Sequence, residues 1–222
     1  MTTLGVIGSG YIGATVARLA IAAGHQVVLS NSRGPQTLGD LVADLGSRAR
    51  AATAQEAAAA GDIVIVAIPV KAVPTLPGEP LAGKVVIDTG NYYPARDGQI
   101  PELDDKELTV SEYTQRSIPQ ALVVKGFNNI FFKHLASLPR PAGTADRSYL
   151  PIAGDSAAAK ATVEGFLDEI GYGAVAYGSL ADSWRQEAGT PVYGTPYGPF
   201  EDEKGHPAGE PVIREGLAAA AR

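Results

Sequence analysis

Three glycines near the amino terminus, spaced G-x-G-x-x-G, constrain this chain more than any other feature. Gly8-Ser9-Gly10-Tyr11-Ile12-Gly13 follows the short apolar run 4–7. It leads into Ile12, Val16, Leu19, Ala20 and Ala23, which recur at three-and-four spacing as one helix face. A strand that turns directly into a helix leaves the first N–H groups of that helix unpaired. Gly8 permits the tight turn, Gly10 lets a pyrophosphate approach the backbone, and Gly13 lets the helix pack on the strand. In this strand–turn–helix context the spacing points to dinucleotide binding.

The rest of the first half repeats the rhythm. Gly24 closes the first helix, residues 26–30 read as a second strand, and Pro35 opens a helix carrying Leu38, Leu41, Val42 and Leu45. A short strand at 48–52 and a helix at 54–60 follow. The run 63–68 is apolar without a break, which suits a strand covered by helices on both faces; 85–87 and 122–124 repeat it. This alternation predicts an α/β fold: a doubly wound, mostly parallel Rossmann sheet over 1–125, with a smaller α/β part over 126–222. Residues 91–119 read as a long loop ending in a helix at 111–117. In the second part the pattern predicts helices at 127–138, after Asp155 or Ser156, at 180–188 and at 212–222, with strands at 149–153 and 174–177. Residues 189–211 are rich in Gly and Pro and hold Tyr193, Tyr197 and Phe200. A stretch of that kind is expected to be a lid, a binding loop or an arm on a partner subunit.

The end of the second strand distinguishes the two dinucleotides. Ser30-Asn31-Ser32-Arg33 contains no acid to accept from ribose hydroxyls, and it offers donors and a positive charge to a 2′-phosphate. NADP(H) is therefore expected rather than NAD. Other strand ends on the same sheet edge should surround the nicotinamide: Ala67, Ile68, Pro69 and Val70; Asn91; and Lys125 with Asn128 and Asn129. Lys125, Asn129 and Tyr92 are the candidate catalytic side chains, with Lys125 equally readable as a structural lysine capping carbonyls.

Composition removes several chemistries. Cysteine is absent, and the three histidines (His25, His134, His206) are far apart, so thiol catalysis, a Ser-His-Asp hydrolase and a metal site are poorly supported. A net charge of −6 is the wrong sign for gripping nucleic acid. No apolar run is long enough to span a bilayer, so a cytoplasmic protein without nucleic-acid or membrane partners is expected. The apolar carboxyl-terminal arm makes a homodimer plausible.

The segments VIGSGYIG, S-N-S-R and V-V-K-G-F-N-N-I resemble those of the NADP oxidoreductases that use the deazaflavin coenzyme F420, a group related to the cytoplasmic domains of STEAP-type ferric reductases. The likeness runs over most of residues 2–178. It implies hydride transfer between NADPH and a flavin-like acceptor, F420 or a flavin as second substrate, with the two rings face to face. It implies that Ser9 to Ile12 hold the pyrophosphate, that Asn31, Ser32 and Arg33 hold the 2′-phosphate, and that Ile68 to Val70 and Asn129 lie near the nicotinamide. The loop 91–119 and the tail after Gly189 have no counterpart in that resemblance.

Overall fold

Eight strands, β1 (Thr3–Ile7), β2 (Gln26–Ser30), β3 (Ala49–Ala51), β4 (Ile63–Val66), β5 (Val85–Asp88), β6 (Leu122–Lys125), β7 (Tyr149–Gly154) and β8 (Gly173–Ala176), form one sheet in the order β3-β2-β1-β4-β5-β6-β7-β8. This is a computed structural model and it describes all 222 residues. The first six strands are parallel, as expected of the Rossmann half. The helices are α1 (Tyr11–Ala22), α2 (Gly39–Leu45), α3 (Ala54–Ala60), α4 (Gly78–Leu81), α5 (Pro94–Asp97), α6 (Pro101–Asp104), α7 (Val110–Ser117), α8 (Phe132–Ser137), α9 (Ala157–Glu169) and α10 (Glu210–Ala219). No helix is long and apolar enough to cross a membrane.

Both faces of the sheet are covered. On one side Val16, Ala17 and Ala20 of α1 and Val163 and Phe166 of α9 pack on Leu4, Val6, Ile63, Ile65 and Val124. On the other, Ala58 of α3, Leu81, Ile118 and Leu180 pack on Ile7, Val64, Val66, Val86 and Val123. Successive residues of β4 thus enter opposite cores, which is why that segment shows no polar alternation. Two helices start with matching capping boxes: Thr53 with Glu56 at α3, and Thr109 with Glu112 at α7.

The carboxyl-terminal part continues the same sheet with a step in it. β7 runs antiparallel to β6, and only Val124–Gly154 and Lys125–Ala153 are paired. The first four residues of β7, Tyr149 to Ile152, therefore overshoot the end of β6 by about 13 Å at 3.3 Å per residue. β8 pairs in parallel with this overhang, from Tyr149–Gly173 to Ile152–Ala176. The two strands stand as a wall above the carboxyl edge of the parallel sheet. Pro151 tolerates its missing donor here because its other edge faces no strand, and its carbonyl accepts from Gln186 Nε2 at 3.2 Å.

Three expectations need correction. The segment 127–138 is helical only in α8, because Phe127 has a left-handed backbone (φ 61°) that turns the chain after β6. Residues 35–45 break into a 3₁₀ turn, Pro35–Leu38, and α2; residues 180–188 form a 3₁₀ helix, Leu180–Gln186, rather than an α-helix. The tail 189–211 is not among them: it packs on its own chain and brings Tyr193, Gly194 and Phe200 to one cleft, with Tyr197 fully buried and donating to Tyr149 O at 2.7 Å, and the Gly194 N–H donating to Asn129 O at 2.8 Å.

The sheet's contact with α3 is close enough to exclude a side chain. A Cβ on Gly5 would lie 2.3 Å from Ala57 O, a backbone atom that cannot swing away. Gly5→Ala should therefore destabilise the protein by about 1–3 kcal/mol, the usual range for overpacking. A denaturant midpoint unchanged within error would refute this packing account.

Candidate functional site: a dinucleotide cradle and an aromatic cleft

β1 and β2 end side by side, with Ile7 paired to Ser30, so the glycine turn and the S-N-S-R turn leave the sheet together. At the first turn Gly8 has φ 103°, and a Cβ there would meet Ala67 O at 2.2 Å. A Cβ on Gly13 would lie 1.9 Å from Gly8 O, so α1 can start against β1 only with glycine at this position. A Cβ on Gly10 would meet no atom within 4 Å, so the space where a pyrophosphate would approach is open. No side chain caps α1 and no acid lies in its first turn, so the N–H groups of Tyr11, Ile12 and Gly13, which have no intrahelical partner, and the helix dipole are free to receive phosphate. Ser9 sits half-buried in the same turn.

At the second turn Asn31 Oδ1 accepts from the Arg33 N–H at 3.0 Å, and its Nδ2 donates to Thr37 Oγ1 at 2.9 Å. This Asx turn spends the Asn31 side chain on shaping the loop. It leaves Ser32 and Arg33 exposed, with no protein acceptor for the guanidinium among the recorded hydrogen bonds and ion pairs. The arrangement fits a doubly charged 2′-phosphate. Arg33→Ala should weaken NADPH binding by about 1.5–3 kcal/mol, roughly ten- to a hundredfold, and leave NADH affinity nearly unchanged. Equal losses for both, read by titrating nicotinamide fluorescence, would remove Arg33 from phosphate recognition.

The third and fourth strand ends give mixed results. Ala67 and Ile68 are half-buried beside the glycine turn and Pro69 is exposed, all placed to border a nicotinamide. Val70 is fully buried and packs with Leu103 and Val110.

A cleft of about 430 Å³ opens directly from Tyr11 and Ile12 across the ends of β5 and β6. Its walls are Thr89, Asn91, the segment Phe127 to Phe132, and Tyr193, Gly194 and Phe200 of the tail. Tyr11 stacks on Phe132 (centroids 4.4 Å apart, planes 13° apart), and Phe131 meets Phe200 edge-on at 5.3 Å. The aromatic wall was illegible in the sequence, because Phe131 and Phe132 read there as part of a helix.

Polar ties fix this wall. Asn91 Nδ2 donates to Asn128 O at 2.8 Å. Asn128 Nδ2 donates to Asn91 Oδ1 and to Gln186 O, and Asn128 Oδ1 accepts from Gln186 Nε2 at 2.7 Å. Asn128 thereby spends both amide protons within the fold and holds three segments together, so it has no N–H left to donate to a nicotinamide. Asn129 Nδ2 donates to Val192 O at 3.0 Å and to Tyr197 OH at 3.3 Å. Since Tyr197 gives its only proton to Tyr149 O, both neighbours can only accept. The amide orientation is thus determined, and Asn129 Oδ1 is left buried without a partner.

Two candidate catalytic residues lie elsewhere. Lys125 is completely buried; its Nζ lies 3.5 Å from Asp88 Oδ2 and donates to Gly90 O. Ser111 Oγ donates to the same Asp88 oxygen at 2.6 Å, and the Gly90 N–H to the other at 2.8 Å. Lys125 is thus the structural lysine that caps the sheet edge, and no acceptor can reach it. Tyr92 lies outside the cleft, its hydroxyl 2.7 Å from Asp104 Oδ1 and accepting from the Ile100 N–H; desolvation and the Asp104 contact push its pKa up. Lys125→Met should leave Asp88 buried and unpaired and destabilise the fold by about 3–5 kcal/mol. A thermal midpoint equal to that of the wild type would contradict this.

Comparison with known proteins agrees with the geometry. The family model "NADP oxidoreductase coenzyme F420-dependent" matches residues 3–92, which span the glycine turn and the S-N-S-R turn. The resemblance seen in the sequence is found again over that segment, which is under half of the chain. A crystal structure of a hypothetical protein from Sinorhizobium meliloti superimposes with a TM-score of 0.73 at 28% identity, covering 86% of this chain and 93% of that one. A protein from Arthrobacter sp. FB24, named for an inferred F420-dependent NADP reductase activity, gives 0.68 at 26%, covering 82% and 87%. The 3-hydroxyisobutyrate dehydrogenase of Mycobacterium tuberculosis shares the fold at 20% identity and a TM-score of 0.57, and the match spans 82% of this chain and 56% of that longer one. No curated protein matches the sequence significantly.

Proposed function

We propose that this protein transfers a hydride between NADP(H) and a flat, flavin-like ring, the deazaflavin coenzyme F420 first among the candidates, held in the aromatic cleft. The observation that carries the reading is continuity. The cleft begins at Tyr11 and Ile12, the same residues whose N–H groups open the phosphate-binding helix. A dinucleotide anchored there would extend its nicotinamide toward Ala67, Ile68 and Pro69, leaving the aromatic walls to sandwich a second ring. NADPH supplies the hydride when bound. The chain's residues align the rings and keep water out, which is chiefly a matter of proximity and orientation.

The family description and the name of the Arthrobacter relative support F420 as the acceptor. FMN, FAD or another small organic acceptor remains the alternative within the same chemistry. A non-catalytic redox-sensing module is less well supported, because the tail that would respond to NADP is already packed into the core through Tyr197. Mixing the protein with NADPH and oxidised F420, FMN or FAD should consume NADPH fastest with F420. No consumption with any of the three would overturn the reductase reading.

A further inference from the structure

One pair of side chains at the cleft is unused by hydrogen-bond accounting. The Tyr93 and Tyr193 hydroxyls lie 2.5 Å apart, either able to donate, and neither has another recorded partner. Each hydroxyl carries one proton, so one of the two protons is unclaimed by the protein. Tyr193 lines the cleft, whereas Tyr93 is 37% exposed on the outer side, with the Arg96 guanidinium 5.0 Å from its ring centroid. When Tyr93 donates inward, the free proton is that of Tyr193 and is available on the cleft side. Arg96 also donates to Asn91 O at 2.6 Å, which ties the pair's supporting loop to the cleft wall.

We infer that Tyr193 and Tyr93 form a proton relay: Tyr193 protonates the acceptor as it takes up the hydride, and Tyr93 resupplies Tyr193 from solvent. The inference rests on the hydride-transfer reading above. That reaction consumes one proton for each hydride. The C4–H bond of the reduced nicotinamide breaks with its electron pair, which forms a C–H bond at C5 of a deazaflavin or an N–H bond at N5 of a flavin. NADPH is oxidised to NADP⁺ and the acceptor gains two electrons. A heteroatom conjugated with the atom that received the hydride takes the Tyr193 proton, Tyr193 takes that of Tyr93, and Tyr93 takes one from solvent. The net reaction is NADPH + acceptor + H⁺ → NADP⁺ + reduced acceptor. Burial, followed by the bond to Tyr93, pushes the Tyr193 hydroxyl above the ordinary tyrosine range, which makes it a weaker acid, so its proton leaves only as negative charge develops on the acceptor during hydride transfer. No other titratable side chain lines the cleft except Tyr11, which lies 75% exposed at its mouth.

The test compares Tyr93→Phe with Tyr193→Phe, using NADPH and whichever of oxidised F420, FMN or FAD the wild type reduces. Both variants delete the same hydrogen bond, so a purely structural latch predicts equal effects. The relay predicts unequal ones. Tyr193→Phe should lower kcat about a hundredfold, the low end for a lost general acid, and abolish the solvent deuterium isotope effect carried by that step. Tyr93→Phe should lower kcat less and retain the isotope effect. NADPH affinity should be unchanged in both. Equal kcat losses, or a Tyr193→Phe enzyme with wild-type rate and isotope effect, would overturn the relay and leave the reductase reading intact. A wild type that binds NADPH and reduces none of the three would overturn the reductase reading and the relay with it.

Discussion

The contact between the start of α1 and the end of β1 sets everything else in place. With Gly8 O where a Cβ of residue 13 would otherwise lie, the helix begins against the strand and its unpaired N–H groups face the crevice. Had the helix stood off by one side-chain layer, Tyr11 and Ile12 would not join the phosphate turn to the cleft, and the two halves of the site would be separate. The same economy of space recurs at Gly5 against Ala57 O, so both faces of β1 are gripped at close range.

Above that foundation the site is held by polar groups satisfied within the fold. The Asp88, Ser111 and Lys125 cluster ties the ends of β5 and β6 to α7. The Asn91, Asn128 and Gln186 ties join the loop after β5, the turn after β6 and the 3₁₀ helix before the tail. Buried polar groups are costly when unpaired, so networks of this kind specify geometry more than they add stability. Asn129 Oδ1 is the exception within this framework, a carbonyl oxygen oriented by its neighbours and left without a donor. A strained Phe127 backbone beside it shows where the fold gives up local comfort to aim residues at the cleft.

How much of this the sequence revealed depended on the range of the cause. The glycine turn, the strands of the parallel sheet and the charge character of residues 30–33 are local, and each is written in consecutive residues. Lys125 was legible only as one of two equal readings, catalytic or carbonyl-capping, because its partner Asp88 lies 37 residues away and the spacing between them carries no period. The left-handed turn at Phe127 was equally hidden, since nothing about a phenylalanine announces φ 61°. The tail was recognised as unusual from its Gly and Pro content, but its role depends on Tyr197 fitting between Asn129 and Tyr149, a matter of three-dimensional packing alone.

The step between β6 and β7 separates two design variables. The glycine turn and the Arg33 loop belong to the parallel strands, while the height of the wall beside them is set by how far β7 slides past β6. Because side chains alternate faces along a strand, β7 can shift only in two-residue increments without turning its apolar residues outward. The overhang of β7 past β6 is therefore quantised in units of about 6.6 Å. A change of register at this junction of two residue pairs moves Tyr149, which accepts from the Tyr197 hydroxyl, and so shifts the anchor of the tail while leaving the glycine turn untouched.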